Sequence, residues 1–153
     1  MKKEKPKNHE ALLWSIALPG FGQFLNGSVI KGIAFIILEF LVNVQSNFNL
    51  AIMYSFTGEI NKAIEITDFQ WLMFYPCLYM FAMWDAYREA NGKINSFSYI
   101  PFVVGAFFLT IGLMYSSKLK IFGVIYGPVF LPMLFFIPGI IMGIIIYKSI
   151  LKT

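Results

Sequence analysis

Apolar residues fall into five runs along the chain, separated by short polar breaks. The first, 11–25 (ALLWSIALPGFGQFL), is short and is interrupted by Pro19-Gly20. The second, 29–56, is the first long enough to cross a bilayer, given that a transmembrane helix needs roughly 20 mostly apolar residues. The third covers 69–87, where Pro76 predicts a kink. The fourth covers 99–117, and the fifth, 129–151, is broken by Pro132 and Pro138. Between them, 57–68 (TGEINKAIEITD) and 88–98 (REANGKINSFS) read as polar loops. Residues 118–128, with Lys118, Lys120, Gly123, Gly127 and Pro128, read as a semi-apolar connection. The pattern predicts an all-α integral membrane protein. It has a polar basic tail over 1–10 and one helical membrane domain over 11–151. That domain comprises an elbow at 11–27 and four spans at about 29–56, 69–87, 99–117 and 129–151.

Composition points the same way. Apolar and aromatic residues make up 58% of the 153 positions and charged residues only 13%, against about 25% charged in an ordinary globular domain. A secreted disulfide scaffold, a disordered tail and a soluble enzyme are excluded on these figures. Cys77 is the single cysteine and His9 the single histidine, so neither a disulfide nor a clustered Cys/His metal site is available.

Charge sets the expected orientation. The net charge is +4, and four of the twelve cations, Lys2, Lys3, Lys5 and Lys7, precede the first apolar run. They suit an anionic lipid surface and not a nucleic acid. That basic start mimics a signal peptide, but no small-x-small cleavage site follows. If 11–25 re-enters instead of crossing, nine cations lie on the cytoplasmic side and three (Lys62, Lys118, Lys120) outside. If it crosses, the split is seven to five. The positive-inside rule selects re-entry, and 15 residues rise only about 22 Å against a hydrocarbon core of roughly 30 Å. Both termini are therefore expected in the cytoplasm, with 11–27 a re-entrant or interfacial helical hairpin.

The densest motif is Pro19-Gly20-Phe21-Gly22-Gln23-Phe24-Leu25-Asn26-Gly27, followed by Lys31-Gly32. Pro19 ends a helix. Gly20 and Gly22 permit a tight reversal and close packing. Gln23 and Asn26 offer hydrogen bonds to backbone groups exposed by the break. Asn26-Gly27 signals a turn, and Ser28 is placed to cap the next helix. A helix, an elbow, a short helix and a long span should follow in that order. This stretch resembles the PG-x-GQ-x-Y-x-G signature of small bacterial membrane proteins related to the two-transmembrane-helix domain family. A similar stretch opens some sugar-transporter permeases. Leu25 stands where many relatives carry an aromatic, a role Phe24 is placed to take. Trp84-Asp85-Ala86-Tyr87 is similar to the element that closes related hairpins. The resemblance covers about 8–40 and 80–90, and implies a fold element without naming an activity.

Three further features stand out. Glu39, Asn43 and Asn47 recur at i, i+4 and i+8, which predicts one polar face within the second run. A carboxylate at mid-bilayer costs about 2.5–3.5 kcal/mol on insertion scales, so it marks either an ion or solute site or interhelical hydrogen bonding. Gln23, Asn26, Tyr75 and Tyr79 are its expected neighbours, with Lys31 two turns away. Asp85 and Arg88, at i and i+3, predict a juxtamembrane pair. Gly139 and Gly143 form a GxxxG suited to close helix packing, internal or in a homodimer. No hydrolase, metalloprotease, P-loop or dinucleotide motif is present, so no catalytic residue, cofactor or metal is assigned. The expected function is that of a non-enzymatic accessory or assembly partner of another membrane component. The alternative is a small transporter or channel using Glu39, Asn43 and Asn47.

Overall fold

The computed structural model describes residues 8–91 and 96–152, which are helical apart from loops and one small hairpin. The basic tail from Lys2 to Lys7, and Lys93, lie outside the described residues. Helix α1 (Asn8–Ala17) stops before Pro19, and α2 (Phe21–Leu25) follows a reversal at Gly20. Gly20 has φ +107, and a β-carbon there would meet the Gly32 carbonyl oxygen at 2.5 Å, so both conformation and space require glycine. The long helix α3 (Val29–Ser46) comes next, as the elbow motif predicts.

The expected continuous helix over 29–56 does not form. It divides into α3 and α4 (Phe48–Phe56) at Asn47, which takes left-handed φ 56, ψ 29. Asparagine tolerates that region better than other side-chain-bearing residues. The expected acidic loop contains helix α5 (Ile60–Ile66), which buries Ala63 and lays Ile60 and Ile64 against Gly127. The third run is also divided. Helix α6 (Phe69–Leu72) is capped by Asp68, whose carboxylate accepts the Gln70 and Trp71 N–H groups. Helix α7 (Tyr75–Asn91) then carries Pro76 in its first turn, and the interruption at Met73–Phe74 falls in the turn before that proline, whose missing N–H would otherwise bond the Leu72 carbonyl, as the expected kink requires. It continues to Asn91, beyond the expected boundary at 87.

Helix α8 (Ile100–Tyr115) likewise starts with Pro101 in its first turn. The connection after it is an antiparallel hairpin of β1 (Lys120–Ile121) and β2 (Val124–Ile125), pairing Lys120 with Ile125 and Ile121 with Val124. Helix α9 (Gly127–Ile150) runs through Pro132 and Pro138 without a break, contrary to the sequence reading. Helix α8 packs closely at one of them: a β-carbon on Gly112 would lie 2.7 Å from Pro132 Cα, so the two backbones touch.

Contacts order α3, α7, α8 and α9 as neighbouring antiparallel helices. Tyr75 meets Glu39 while Asp85 meets Lys31, which sets α3 against α7. The Trp84 and Tyr99 rings meet at one end, and Met80 reaches Gly105 further along, which sets α7 against α8. Gly139 abuts Phe108, and a β-carbon on Gly143 would lie 2.6 Å from Pro101 Cα, which sets α9 against α8. Both GxxxG glycines thus pack inside the chain. Among the described residues, α3 and α9 are the two helices long and apolar enough to cross a membrane by length and composition. Helix α8 is apolar but has 16 residues, about 24 Å of rise.

Candidate functional site

The elbow meets α7 along one helical stripe. Tyr75, Tyr79, Ala82, Ala86 and Glu89 recur at the i, i+4, i+7 spacing of a single face. Each uses a polar atom towards the N-terminal third of the chain. The Tyr79 hydroxyl donates to the Ile16 carbonyl at 2.5 Å, satisfying one of the orphan acceptors at the end of α1. Gln23 is fully buried and donates Nε2 to the Ala82 carbonyl at 2.8 Å and to Asp85 Oδ2 at 3.3 Å. Asn26 Nδ2 donates to the Ala86 carbonyl at 2.8 Å. These two amides therefore reach across to α7, whereas the sequence suggests that they serve the break itself. Ser28 departs from expectation too: it occupies the cap position of α3, but its hydroxyl donates to Glu89 Oε1 at 2.9 Å.

Small residues let the elements approach this closely. Ala11 and Ser15 of α1, Gly22 of α2, and Ala86 and Ala90 of α7 are all buried. A β-carbon on Gly22 would collide with the Ala11 carbonyl oxygen and lie 2.7 Å from Ala86 Cβ. The two stretches that carry the sequence resemblance, 19–27 and 84–87, are thus in contact although they are far apart in the chain.

Charges close the same end. Asp85, with its side chain only 4% exposed, accepts from Lys31 Nζ at 3.1 and 3.3 Å and from Arg88 Nη2 at 3.2 Å. Lys31 also reaches Glu89 Oε1 at 3.0 Å. The Arg88 guanidinium stacks 4.5 Å from the centre of the Trp84 ring, whose Nε1 donates to Ser98 Oγ at 3.3 Å. The Asp85–Arg88 pair is therefore part of a network with Lys31 and Glu89. Lys31 is the member that sequence reasoning misses by weighing it only against Glu39. The signal available is its place one turn past the elbow, on the side that the elbow presents to α7.

Glu39 lies apart from this network. It is 8% exposed and accepts from the Tyr75 hydroxyl at 3.1 Å, while Oε2 has no hydrogen-bond partner among the described residues. Tyr75 stacks on Tyr79 at 5.5 Å, so the Glu39 contact and the α1 contact share one aromatic pair. Asn43 lies beside the Glu39 carboxylate, one turn along α3, but the hydrogen bonds it makes go elsewhere, as does that of Asn47. Asn43 exchanges hydrogen bonds with Asn49, to its side chain at 3.1 Å and from its backbone N–H at 3.2 Å. Asn47 donates to the Ile66 carbonyl at 3.1 Å. Both brace the α3–α4 break.

At the opposite end, Glu59 pairs with Lys62 and holds its ammonium above the usual lysine range, first through the hydrogen bond and then through charge. Two apolar grooves occupy the middle zone. One, of about 390 Å³, lies among α4, α7, α8 and α9 beside Tyr75 and Tyr79. The other, of about 650 Å³, lies between α7 and α8. Among the described residues no three His, Cys, Asp or Glu side chains are grouped to hold a metal ion. Comparison with protein-family models, curated proteins and solved structures finds no match for the chain.

Proposed function

We propose that the chain is a four-crossing protein of the bacterial cytoplasmic membrane, with both termini cytoplasmic. We propose further that it acts without catalysis, as an accessory or assembly partner of another membrane component. The observation that carries the membrane reading is the separation of charge from exposed apolar surface. Residues 69–84, 94–117 and 121–147 contain no charged side chain, and 32–58 contains only Glu39. The same stretches expose Phe40, Phe81, Phe107, Ile137 and Ile141. In water this would be an apolar surface well beyond the few hundred Å² typical of soluble monomers. Lipid is the medium in which it is stable. The shorter crossing helices α7 and α8 are completed by their flanking turns, with Arg88, Trp84 and Tyr99 at the interface.

The role as a packing partner is supported by how the polar groups are used. The elbow, Lys31, Asp85, Arg88 and Glu89 are spent on each other, fastening α1 and α2 against α7. The grooves of the middle zone are lined largely by apolar side chains, which suits lipid or a partner helix better than a solute pathway. The likeness of 19–27 to the PG-x-GQ signature, and of 84–87 to the element that closes related hairpins, fits this reading, because both concern the same fastening. Purification from the native membrane in mild detergent tests it: another membrane protein is expected at a fixed ratio, and the chain alone in liposomes should pass no solute.

One observation favours the second reading, a small transporter. Glu39 Oε2 is buried beside Tyr75 without a partner among the described residues, and intramembrane carboxylates commonly mark ion pathways. Flux through the chain alone, abolished by Glu39→Gln, would establish the transporter instead.

A further inference from the structure

The β1–β2 hairpin carries an aromatic side chain where a turn disfavours one. Its two-residue loop is Phe122-Gly123, with φ 52 and φ 83. Two-residue hairpins with positive φ at both positions favour Asn-Gly or Asp-Gly, and a bulky residue in this region is an outlier. Strain of this kind persists where the side chain has a use. Phe122 is also 98% exposed, so packing among the described residues does not explain it.

The hairpin has two unlike faces. Lys120 and Ile125, paired in register, line a groove of about 500 Å³ against Gly58–Lys62. Ile121 and Val124 belong to the other face, and Val124 is exposed. Met114 and Tyr115, both exposed, end α8 shortly before the hairpin. Lys118 and Lys120 are exposed beside it. Aromatic residues flanked by lysines whose stems lie along apolar surface are characteristic of membrane interfaces.

We propose that the tip, Phe122 with Ile121 and Val124, seats in the headgroup–acyl boundary of the leaflet opposite the termini, with Lys118 and Lys120 at the lipid phosphates. The inference rests on the four-crossing membrane reading. Size selects lipid over a protein partner: one Phe buries roughly 150–250 Å², far below the roughly 800 Å² per side of a stable protein interface. The seated tip would hold the α8–α9 connection at a fixed depth and keep the groove beside α5 facing water.

Depth-dependent quenching tests this. Phe122→Trp is reconstituted in vesicles containing lipids brominated either near the headgroup or deep in the acyl chain. Its emission is read as the difference from the parent protein, which retains Trp14, Trp71 and Trp84. Phe107→Trp, on the exposed face of α8, is the reference. The expected result is loss of the added emission from position 122 with shallow bromines, little loss with deep ones, and the reverse preference at position 107. If the indole at position 107 is quenched but that at position 122 is not, and aqueous acrylamide quenches the latter, the tip is in water. The inference is then overturned while the membrane reading stands. If the indole at position 107 is also unquenched, the membrane reading fails first. Protection of the position 122 indole from acrylamide in native membranes, without bromine quenching in vesicles, would assign a protein partner and overturn the lipid assignment. Val124→Trp repeats the measurement should Phe122→Trp not fold.

Discussion

Asp85→Asn should loosen the elbow from α7 while preserving shape. Asp85 holds Lys31 at 3.1 Å, Arg88 at 3.2 Å and the buried Gln23 amide at 3.3 Å. Exposed ion pairs contribute about 0.2–1 kcal/mol, whereas breaking a fully buried pair costs about 3–5 kcal/mol. This site is intermediate: the Asp85 side chain is 4% exposed, but those of Lys31 and Arg88 are 44% and 33% exposed. Each pair therefore contributes near the upper end of the exposed range, and the substitution should cost about 2 kcal/mol. For a chain of this length that corresponds to a Tm about 4–8 °C lower. Thermal unfolding in detergent micelles reads it. A double-mutant cycle with Lys31→Met should give a coupling of about 1 kcal/mol, because Lys31 keeps Glu89 as a second partner. The coupling should shrink at 1 M salt, where the Debye length is about 3 Å, because Lys31 is reached by solvent. Lys62→Gln, which breaks an exposed pair with Glu59, should leave the melting temperature unchanged, since solvent already screens that pair. A change at Asp85 no larger than at Lys62, with no coupling to Lys31, would refute the claim that this network fastens the elbow.

Gly22→Ala drives a β-carbon into the Ala11 carbonyl oxygen and to 2.7 Å from Ala86 Cβ. Neither backbone can yield freely, so a loss of about 1–3 kcal/mol is expected by thermal unfolding. Glu39→Gln keeps an acceptor for the Tyr75 hydroxyl and should leave stability within about 1 kcal/mol, read by the same assay. Phe122→Asn should raise stability in detergent by about 1 kcal/mol by relieving the positive φ. In lipid vesicles the same variant should lose the interfacial position of the hairpin, read as quenching of Val124→Trp by aqueous acrylamide.

The elbow is legible in the sequence because its signals are local. Pro19 stops a helix by its own geometry, and Gly20 marks a reversal that other residues resist. What those residues touch is not legible, since Gln23 and Asn26 bond carbonyls some sixty positions away. The stripe at Tyr75, Tyr79, Ala82, Ala86 and Glu89 is present at helical spacing, but its partners are set only by the fold. Apolar periodicity locates the long runs and misjudges their continuity. Asn47 has the spacing of a third member of a polar stripe, and its tolerance of left-handed backbone makes it a break instead. Pro76 interrupts the third run in the turn before it, while Pro101 falls in a first turn, where proline is harmless. Pro132 and Pro138 stay inside one helix, where membrane helices tolerate proline when neighbouring helices pack against the freed backbone, and Gly112 brings α8 into contact at Pro132. Helix α5 is hidden by its polar surface, since its apolar contacts with the fold come from Ile60, Ala63 and Ile64.

The four-crossing architecture is decided by the side of the membrane on which each end of the helical array lies. In a Cys77→Ser background, single cysteines at Asn61, Lys120 and Lys152 are exposed to a membrane-impermeant maleimide in intact cells and in inverted vesicles. Four crossings predict labelling of positions 61 and 120 from outside the cell and of position 152 only in inverted vesicles. Labelling of positions 61 and 152 from the same side, or release of the protein from membranes by alkaline carbonate, would contradict it.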